Sequence, residues 1–541
     1  MCGSVCREVW SAIALLAAQI SDHCGVSTPD VVTEGRIFRP LRTFELDFFA
    51  EELPMSETAR FALIIALTGA VALAAVLVNR LSARLGLPAP VLMLAAAAIA
   101  VFAFPGVPVP RNEMVQQVVS VALVLILFNG GRHIGWSRLR PALGLIIIVG
   151  LLGTFLTAAA GGVLLHAAFG LAWYVALLVA TAVSPTDPAV VFSVLGQQEI
   201  TGRSGTILEG ESGANDPVGI ALMGGLLAAG GVSGVAFGQI AADFLLQMTI
   251  GMVAGVAGGL ALLWFMRRVS LPSEALYPLR TLASVLLLYG VTTLLHGSGF
   301  LAVFVAGIVI GGRRAPYQRE IERFHAALAG LAEIVAFVIL GLTIDLRVLA
   351  RMDVWVPGLI LGVALAVVIR PLLVGLCLLP AKLDRGERAF VLFAGLKGAV
   401  PILLGDLLLA AKLPDAERLY GIVVVVVIFS VVVQGSLVPT VAKRFGVPMQ
   451  PVRPEPWAVG VRLEAEPETA HQINVAAGSV ADGRTVEEVA ELASNIWISI
   501  VVRDGALVSV HGDTRLRAGD VITLLIDGDL AGEITDLFVE R

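Results

Sequence analysis

Apolar residues run along this chain in blocks of 15 to 30, parted by short polar loops, from Arg60 to about residue 442. Thirteen blocks can be delimited, among them 171–195, 207–230, 355–379 and 388–411. A helix crosses the hydrocarbon of a bilayer in about 20 residues, so blocks of this length predict a polytopic α-helical membrane protein with about 13 transmembrane helices. The loops fix an orientation. With the C-terminus in the cytoplasm, inner loops carry 18 basic residues, from Arg80 to Arg444, against five outside (Arg111, Arg347, Arg351, Lys412 and Arg418). Positive loops stay on the cytoplasmic side. An error of one span would scramble that bias.

Two blocks contradict continuous helix. The fifth contains Ser184-Pro185-Thr186-Asp187-Pro188 and the twelfth contains Gly395-Leu396-Lys397-Gly398-Ala399-Val400-Pro401. Proline withholds a backbone donor and opposes helix. The two breaks lie seven spans apart, which predicts inverted repeats, each half contributing one broken helix to a site near the midplane. Beyond Phe445 the pattern changes to short alternating runs. Asn495–Arg503, Ala506–Val510 and Val521–Ile526 read as strands, Asp504-Gly505 as a tight turn and Thr485–Ala493 as a short helix, which together make a small α/β domain. The expected division is 58–445 for the membrane domain, 446–457 for a linker and 458–541 for a cytoplasmic tail.

Composition sharpens this picture. The chain of 541 residues is 57% hydrophobic and 15% charged, with a mean hydropathy of +0.88. From Pro451 onward there are 16 acidic and 7 basic residues, so the tail is acidic and the apolar body weakly basic. The four cysteines show no metal or disulfide spacing. Residues 1–55 do not match the apolar body, and Met55 is the expected natural start, with 1–54 an extension. No nucleic-acid partner is expected; the expected location is the inner or plasma membrane.

The chemistry concentrates in Glu209-Gly210-Glu211-Ser212-Gly213-Ala214-Asn215-Asp216-Pro217, where three carboxylates and an amide interrupt an apolar block. A charge at the bilayer centre costs about 2.5–3.5 kcal/mol on insertion scales, so such groups need a partner or a task. On a helix, Ser212 shares a face with Asp216, and Glu211 with Asn215. The first face offers hard oxygen ligands for a small monovalent cation, which Thr186 and Asp187 can approach from the broken block. A carboxylate that binds either a proton or a cation, and crosses only when loaded, exchanges one for the other. Asn215 cannot titrate, so the pair carries one exchangeable charge, which argues for electroneutral exchange. For Glu211 the expected clamp is Arg370, bridging its carboxylate and the Asn215 amide oxygen, with Lys397 offsetting the half-helix C-terminus at its own break. His166 and His296 read as interfacial, Glu209 as peripheral, and Glu333 stays open.

The stretches Thr181–Leu195 and Leu208–Leu222, the pair Arg370-Pro371, and Gly395-Leu396-Lys397-Gly398 resemble the NhaP-type monovalent cation:proton antiporters of the cation:proton antiporter-1 family, over roughly 58–445. The resemblance implies a homodimer in lipid, a thirteen-helix protomer, and exchange of K⁺ or Na⁺ for H⁺. It implies Asp216 as the ion- and proton-binding acid, with Ser212, Thr186 and Asp187 in the site, and Glu211, Asn215 and Arg370 as a structural cluster. Two positions depart from the family pattern. Asn129 stands where an acid is usual in the third span, and Lys397 where arginine is usual. The tail resembles a TrkA C-terminal (RCK-C) regulatory domain, either as a binder of a small regulatory ligand or as a support for dimerisation; no other cofactor is expected. Such a tail shifts the substrate toward K⁺ without deciding it. The alternative is an RCK-gated cation channel, but no TVGYG-like filter is present. An enzyme is not expected, since no Ser/His, paired-Asp or HExxH arrangement is found.

Overall fold

A computed structural model of the chain describes scattered positions from 58 to 82, then 88–451 without 105, 106, 108, 196, 197, 201, 202, 232, 314, 315 and 382, and 469–538 without 493–495 and 527–536. The expected extension 1–54 and part of the first apolar block lie outside the described residues. The chain divides into two compact units, one made of Met1–Val194 with Arg203–Gly446, the other of Leu195–Gly202 with Val447–Arg541.

Among the described residues the first unit is all helix. In chain order its main elements are α1 (Ala89–Ala103), α2 (Asn112–Leu139), α3 (Gly153–Phe169), α4 (Trp173–Ala182), α5 (Pro188–Leu195), α6 (Arg203–Ala229), α7 (Gly234–Arg268) and α8 (Leu276–Leu294). They continue with α9 (Gly299–Ile310), α10 (Gln318–Leu342), α11 (Met352–Ala364), α12 (Arg385–Phe393), α13 (Ala399–Ala410), α14 (Ala416–Ile428) and α15 (Gly435–Arg444). Among the described residues, five continuous helical stretches are long and apolar enough to cross a membrane: Asn112–Phe169, Gly234–Arg268, Gln318–Leu342, Met352–Cys377 and Ala416–Arg444. Helix α6 has 27 residues, ample for a span, yet its carboxylates and amide keep it out of that set. The pairs α4/α5 and α12/α13 are each two short helices across an unwound segment.

Close backbone approach sets the packing. A Cβ at Gly131 of α2 would collide with the Phe304 carbonyl, and one at Gly307 of α9 with the Phe128 carbonyl. Glycines four apart, Gly131 and Gly135 on α2 and Gly307 of α9 with Gly311 just past its end, let the two segments touch backbone to backbone, the small-residue packing that membrane helices use where lipid offers no hydrophobic drive. Helix α9 also lies on α7, and α10 lies across α1 and α2. π-helical turns interrupt the ladder at Ile148–Leu152, Leu365–Val374 and Phe429–Gln434. Such turns are frequent at functional sites, and the second contains Arg370-Pro371.

The second unit holds two antiparallel sheets. In one, β1 (Gln198–Ile200) pairs with β2 (Met449–Pro451), Gln198 opposite Pro451. The other has the order β3-β6-β4-β5, with β3 (Thr469–Asn474), β4 (Ile496–Arg503), β5 (Ala506–Val508) and β6 (Val521–Ile526). Asp504 and Gly505 both have positive φ, 49° and 79°, as a type I′ hairpin turn requires. A short helix, α16 (Val486–Leu492), buries Val489 against Ile498, Val501, Leu516, Ile522 and Leu524. The chain is therefore a polytopic α-helical membrane protein with a small C-terminal α/β domain.

Candidate ion site where two helix breaks cross

The unwound segment between α4 and α5 and the one between α12 and α13 cross each other. The Asp187 backbone N–H donates to the Leu396 carbonyl at 2.8 Å. In return the Lys397 ammonium donates to the Ser184 carbonyl at 2.9 Å and the Pro185 carbonyl at 3.0 Å. These two carbonyls lie just past the C-terminal end of α4, where a helix leaves acceptors unpaired and carries partial negative charge. The Asp187 carboxylate does the opposite task. It accepts the Ala189 N–H at 2.9 Å, and also those of Val190 and Ala399, so it caps the N-termini of both α5 and α13. Gly398 makes this possible, because a Cβ there would fall on the Asp187 carboxylate. Three of the four half-helix ends are thus matched by a charge of opposite sign from one of the two breaks.

Helix α6 passes this crossing with its small residues inward. A Cβ on Gly219 would meet Pro185, and one on Gly213 would meet the Phe304 ring. Pro217 sits inside the helix and lacks the donor that would bond four residues back. Along this segment Glu211, Ser212, Asn215 and Asp216 are all buried. Their partners differ. Arg370 donates Nη1 to Glu211 Oε1 at 2.7 Å and Nη2 to Oε2 at 2.9 Å, a two-pronged pair with both side chains buried. Its Nε donates to the Leu392 carbonyl at 2.9 Å and Nη2 to that of Val391 at 3.2 Å, closing the C-terminal end of α12. Asp216 has Ser212, one turn back, as its hydroxyl neighbour, while Asp216 Oδ1 is buried with no hydrogen-bond partner.

Two expected contacts are corrected. Asn215 does not share Arg370 with Glu211; its Nδ2 donates to Thr186 Oγ1 at 2.7 Å, and its Oδ1 has no partner. The guanidinium fork matches a carboxylate and the two α12 carbonyls, which leaves the neutral amide outside. Lys397, expected to neutralise the half-helix end at its own break, reaches across to the other one. Thr186, Asp187, Ser212 and Asp216 do gather at the crossing, but Asp187 is engaged in capping. Asn129 is apart from this cluster, accepting from Arg132 Nη2 at 3.3 Å. Glu209 faces His133 at 3.5 Å. His166 stacks on Trp173, with ring centroids 4.1 Å apart, and Nδ1 lies 2.7 Å from the Leu171 carbonyl. Glu333 is half-buried on α10, within electrostatic reach of Asp187.

The sequence reading missed the support behind the second break. Ser430 Oγ accepts the Lys397 backbone N–H at 3.0 Å and donates to Gln434 Oε1 at 3.2 Å. The signal was present as a serine and a glutamine four apart after a run of valines. Gly395 reads in the sequence only as part of the break, whereas a Cβ there would overlap the Arg370 guanidinium.

Two discontinuous helices crossing in an apolar bundle, with one buried carboxylate oxygen left unpaired beside them, define a secondary active cation carrier of the broken-helix class. The chain belongs to the sodium/hydrogen exchanger family, a family of cation/proton antiporters: its transmembrane model matches residues 61–444, and that of the TrkA-C domain matches 470–539. The K(+)/H(+) antiporter NhaP2 of Shewanella oneidensis is 32% identical over 472 residues, 86% of this chain and 81% of that protein. The K(+)/H(+) antiporter NhaP of Alkalimonas amylolytica is 33% identical over 390 residues, 70% of this chain and 66% of its own. Among solved structures, the sodium proton antiporter MjNhaP1 of Methanocaldococcus jannaschii shares the fold, with a TM-score of 0.61 at 21% identity over 71% of this chain and 99% of that one.

Proposed function

We propose that this protein exchanges K⁺, in preference to Na⁺, for H⁺ at Asp216, one for one and without net charge movement. The observation that carries the reading is the buried Asp216 carboxylate, whose Oδ1 has no protein partner while every other charge at the crossing is engaged. A carboxylate left so is neutralised by a proton or by a cation. Ser212 stands beside it to complete an oxygen cage, and Asn215 locks Thr186 of the first break to α6. With one titrating group, each loaded form is neutral and the empty, charged form is held back by its desolvation cost. K⁺ is favoured because the relatives that align over 86–88% of this chain, at about 32% identity, are K(+)/H(+) antiporters.

The frame for this chemistry is a thirteen-span protomer with its C-terminus in the cytoplasm, two inverted halves each giving one broken helix, and a homodimer in the plasma or inner membrane. The TrkA-C tail is a regulator that takes a small ligand. The test is dye dequenching in everted vesicles or proteoliposomes on addition of K⁺, Na⁺ or Li⁺. Saturable H⁺ movement, fastest with K⁺ and unmoved by an imposed voltage, is expected. A rate that tracks the voltage would refute one-for-one exchange, and cation flux without H⁺ movement would return the reading to a channel.

A further inference from the structure

The second broken helix carries a carboxylate that the exchange chemistry does not use. We propose that Asp406 and Tyr420 form a second monovalent-cation site, between the crossing of the breaks and a chamber near the 411–415 turn. The proposal rests on reading the domain as a monovalent-cation carrier.

Asp406 lies on α13, eight residues past Gly398, about 12 Å along the helix. Its side chain is wholly buried. Oδ2 accepts one long bond, from Gln116 Nε2 at 3.4 Å, and Oδ1 has no partner. No ion pair to it is found among the described residues. This is the opposite of Glu211, whose two oxygens are both taken by Arg370. A buried carboxylate with one weak donor is neutralised by a proton or a cation, and oxygens gathered beside it favour the cation.

The surroundings supply the remaining oxygens. Tyr420 Oη lies 2.7 Å from Thr343 Oγ1. The single Thr343 hydroxyl proton is committed to the Leu340 carbonyl at 2.8 Å, so Tyr420 is the donor and its oxygen keeps lone pairs for a cation. The Tyr420 ring lies where a Cβ on Gly405 would fall, which brings it against the backbone beside Asp406. Tyr420 also lines a chamber of ≈ 390 Å³, together with Asn112, Thr343, Asp345 and Glu417. Asn112 and Gln116 are four apart on α2, and Glu417 and Tyr420 three apart on α14, so on each helix one face runs from the chamber wall toward Asp406. Carboxylate, phenol and amide oxygens are hard donors of the kind K⁺ and Na⁺ accept. The acids lining the chamber attract cations, and Asp406 holds one before it reaches the crossing.

The test uses full-length protein in detergent, carrying Asp216→Asn so that the central acid is silent. Melting temperature is measured against KCl or NaCl, with choline chloride at equal ionic strength as the reference. A saturable, cation-specific rise is expected in Asp216→Asn and should vanish when Asp406→Asn is added. Tyr420→Phe in the same background should raise the half-saturating concentration about 3- to 10-fold. A rise that survives Asp406→Asn, or no rise in Asp216→Asn, overturns the site. Should the Asp406 variant fail to fold, an unchanged half-saturation in Tyr420→Phe overturns it as well. The readout needs no transport, so absence of cation-driven H⁺ movement in the wild type would refute the carrier reading and leave the binding result to decide this one.

Discussion

Glu211 and Asp216 lie five residues apart on one helix, both buried, and have opposite fates. Glu211 is held on both oxygens by a guanidinium that also closes the end of α12. Asp216 keeps an oxygen that nothing in the protein satisfies. The cost of burying charge is therefore met inside the fold at one acid and, on the function proposed above, left to the ion at the other. In that proposal pairing, not burial, separates the structural carboxylate from the working one. The same contrast sorts the breaks, where Asp187 and Lys397 each answer a half-helix end with hydrogen bonds made inside the protein.

The comparison is broken most completely at Asp216. Asp216→Asn should reduce cation-driven H⁺ exchange to background while folded yield and melting temperature stay near wild type. Exchange that persists in that variant, measured by dye dequenching, would mean another acid carries the ion. The reverse is expected at Arg370. Arg370→Gln strands a buried carboxylate, and removing one partner of a buried pair costs about 3–5 kcal/mol, so folded yield should fall sharply. Glu211→Gln added to it should recover part of that yield, since both charges are then gone. A double variant no better than the single would show that Arg370 acts through the α12 carbonyls instead.

Much of the fold and site is legible in the sequence because its causes are local. Prolines and glycines mark the breaks, spacing on α6 places Ser212 with Asp216, and Asp504-Gly505 marks the hairpin. The rest depends on how distant segments meet. Lys397 lies one residue from its own break's glycine, and only the crossing shows that it serves carbonyls some 210 positions earlier. Asn215 and Glu211 share a helical face, yet Thr186 draws the amide away. Strand β3, Thr-Ala-His-Gln-Ile-Asn, has too weak an alternation to read alone and is formed by pairing along β6. Asp406 escapes a sequence reading because one acid in an apolar block gives no spacing.

A finer probe of the clamp is steric. A Cβ at Gly395 would overlap the Arg370 guanidinium while leaving every charge in place. Gly395→Ala should therefore destabilise by about 1–3 kcal/mol, the range for overpacking a filled site, less than loss of Arg370 itself. Melting temperatures of the two variants in one detergent give the order. If Gly395→Ala matches wild type, the guanidinium has room to move and the clamp is looser than its bond lengths suggest.

The smallest effect is expected where the same bonding geometry meets water. In the tail, Arg503 donates Nε to Asp520 Oδ1 and Nη2 to Oδ2, each at 2.8 Å, and the Arg517 backbone N–H donates to Oδ2 at 2.9 Å. Asp520 is buried, but the Arg503 side chain is 24% exposed, so solvent screens the pair as it cannot at Glu211. The Arg503 hydrogen bonds hold the Asp520 carboxyl below its usual range, against the opposing pull of burial. A carboxyl whose folded pKa is depressed stabilises fully above its unfolded value of about 3.9, and that stabilisation is lost as pH falls through the lower folded value. Asp520→Asn should therefore weaken the tail by about 1–2 kcal/mol at neutral pH, the scale of a hydrogen bond to a charged group. The gap between variant and wild type should stay level from about pH 5 to 8 and close as pH drops below about 3.9. Hydrogen exchange of the β6 amides in the full-length protein reads this directly. A gap that widened in acid would mean that the folded carboxyl binds its proton more tightly than the unfolded one, so that burial outweighs the donors, and that two matched bonding geometries need not share an energetic origin.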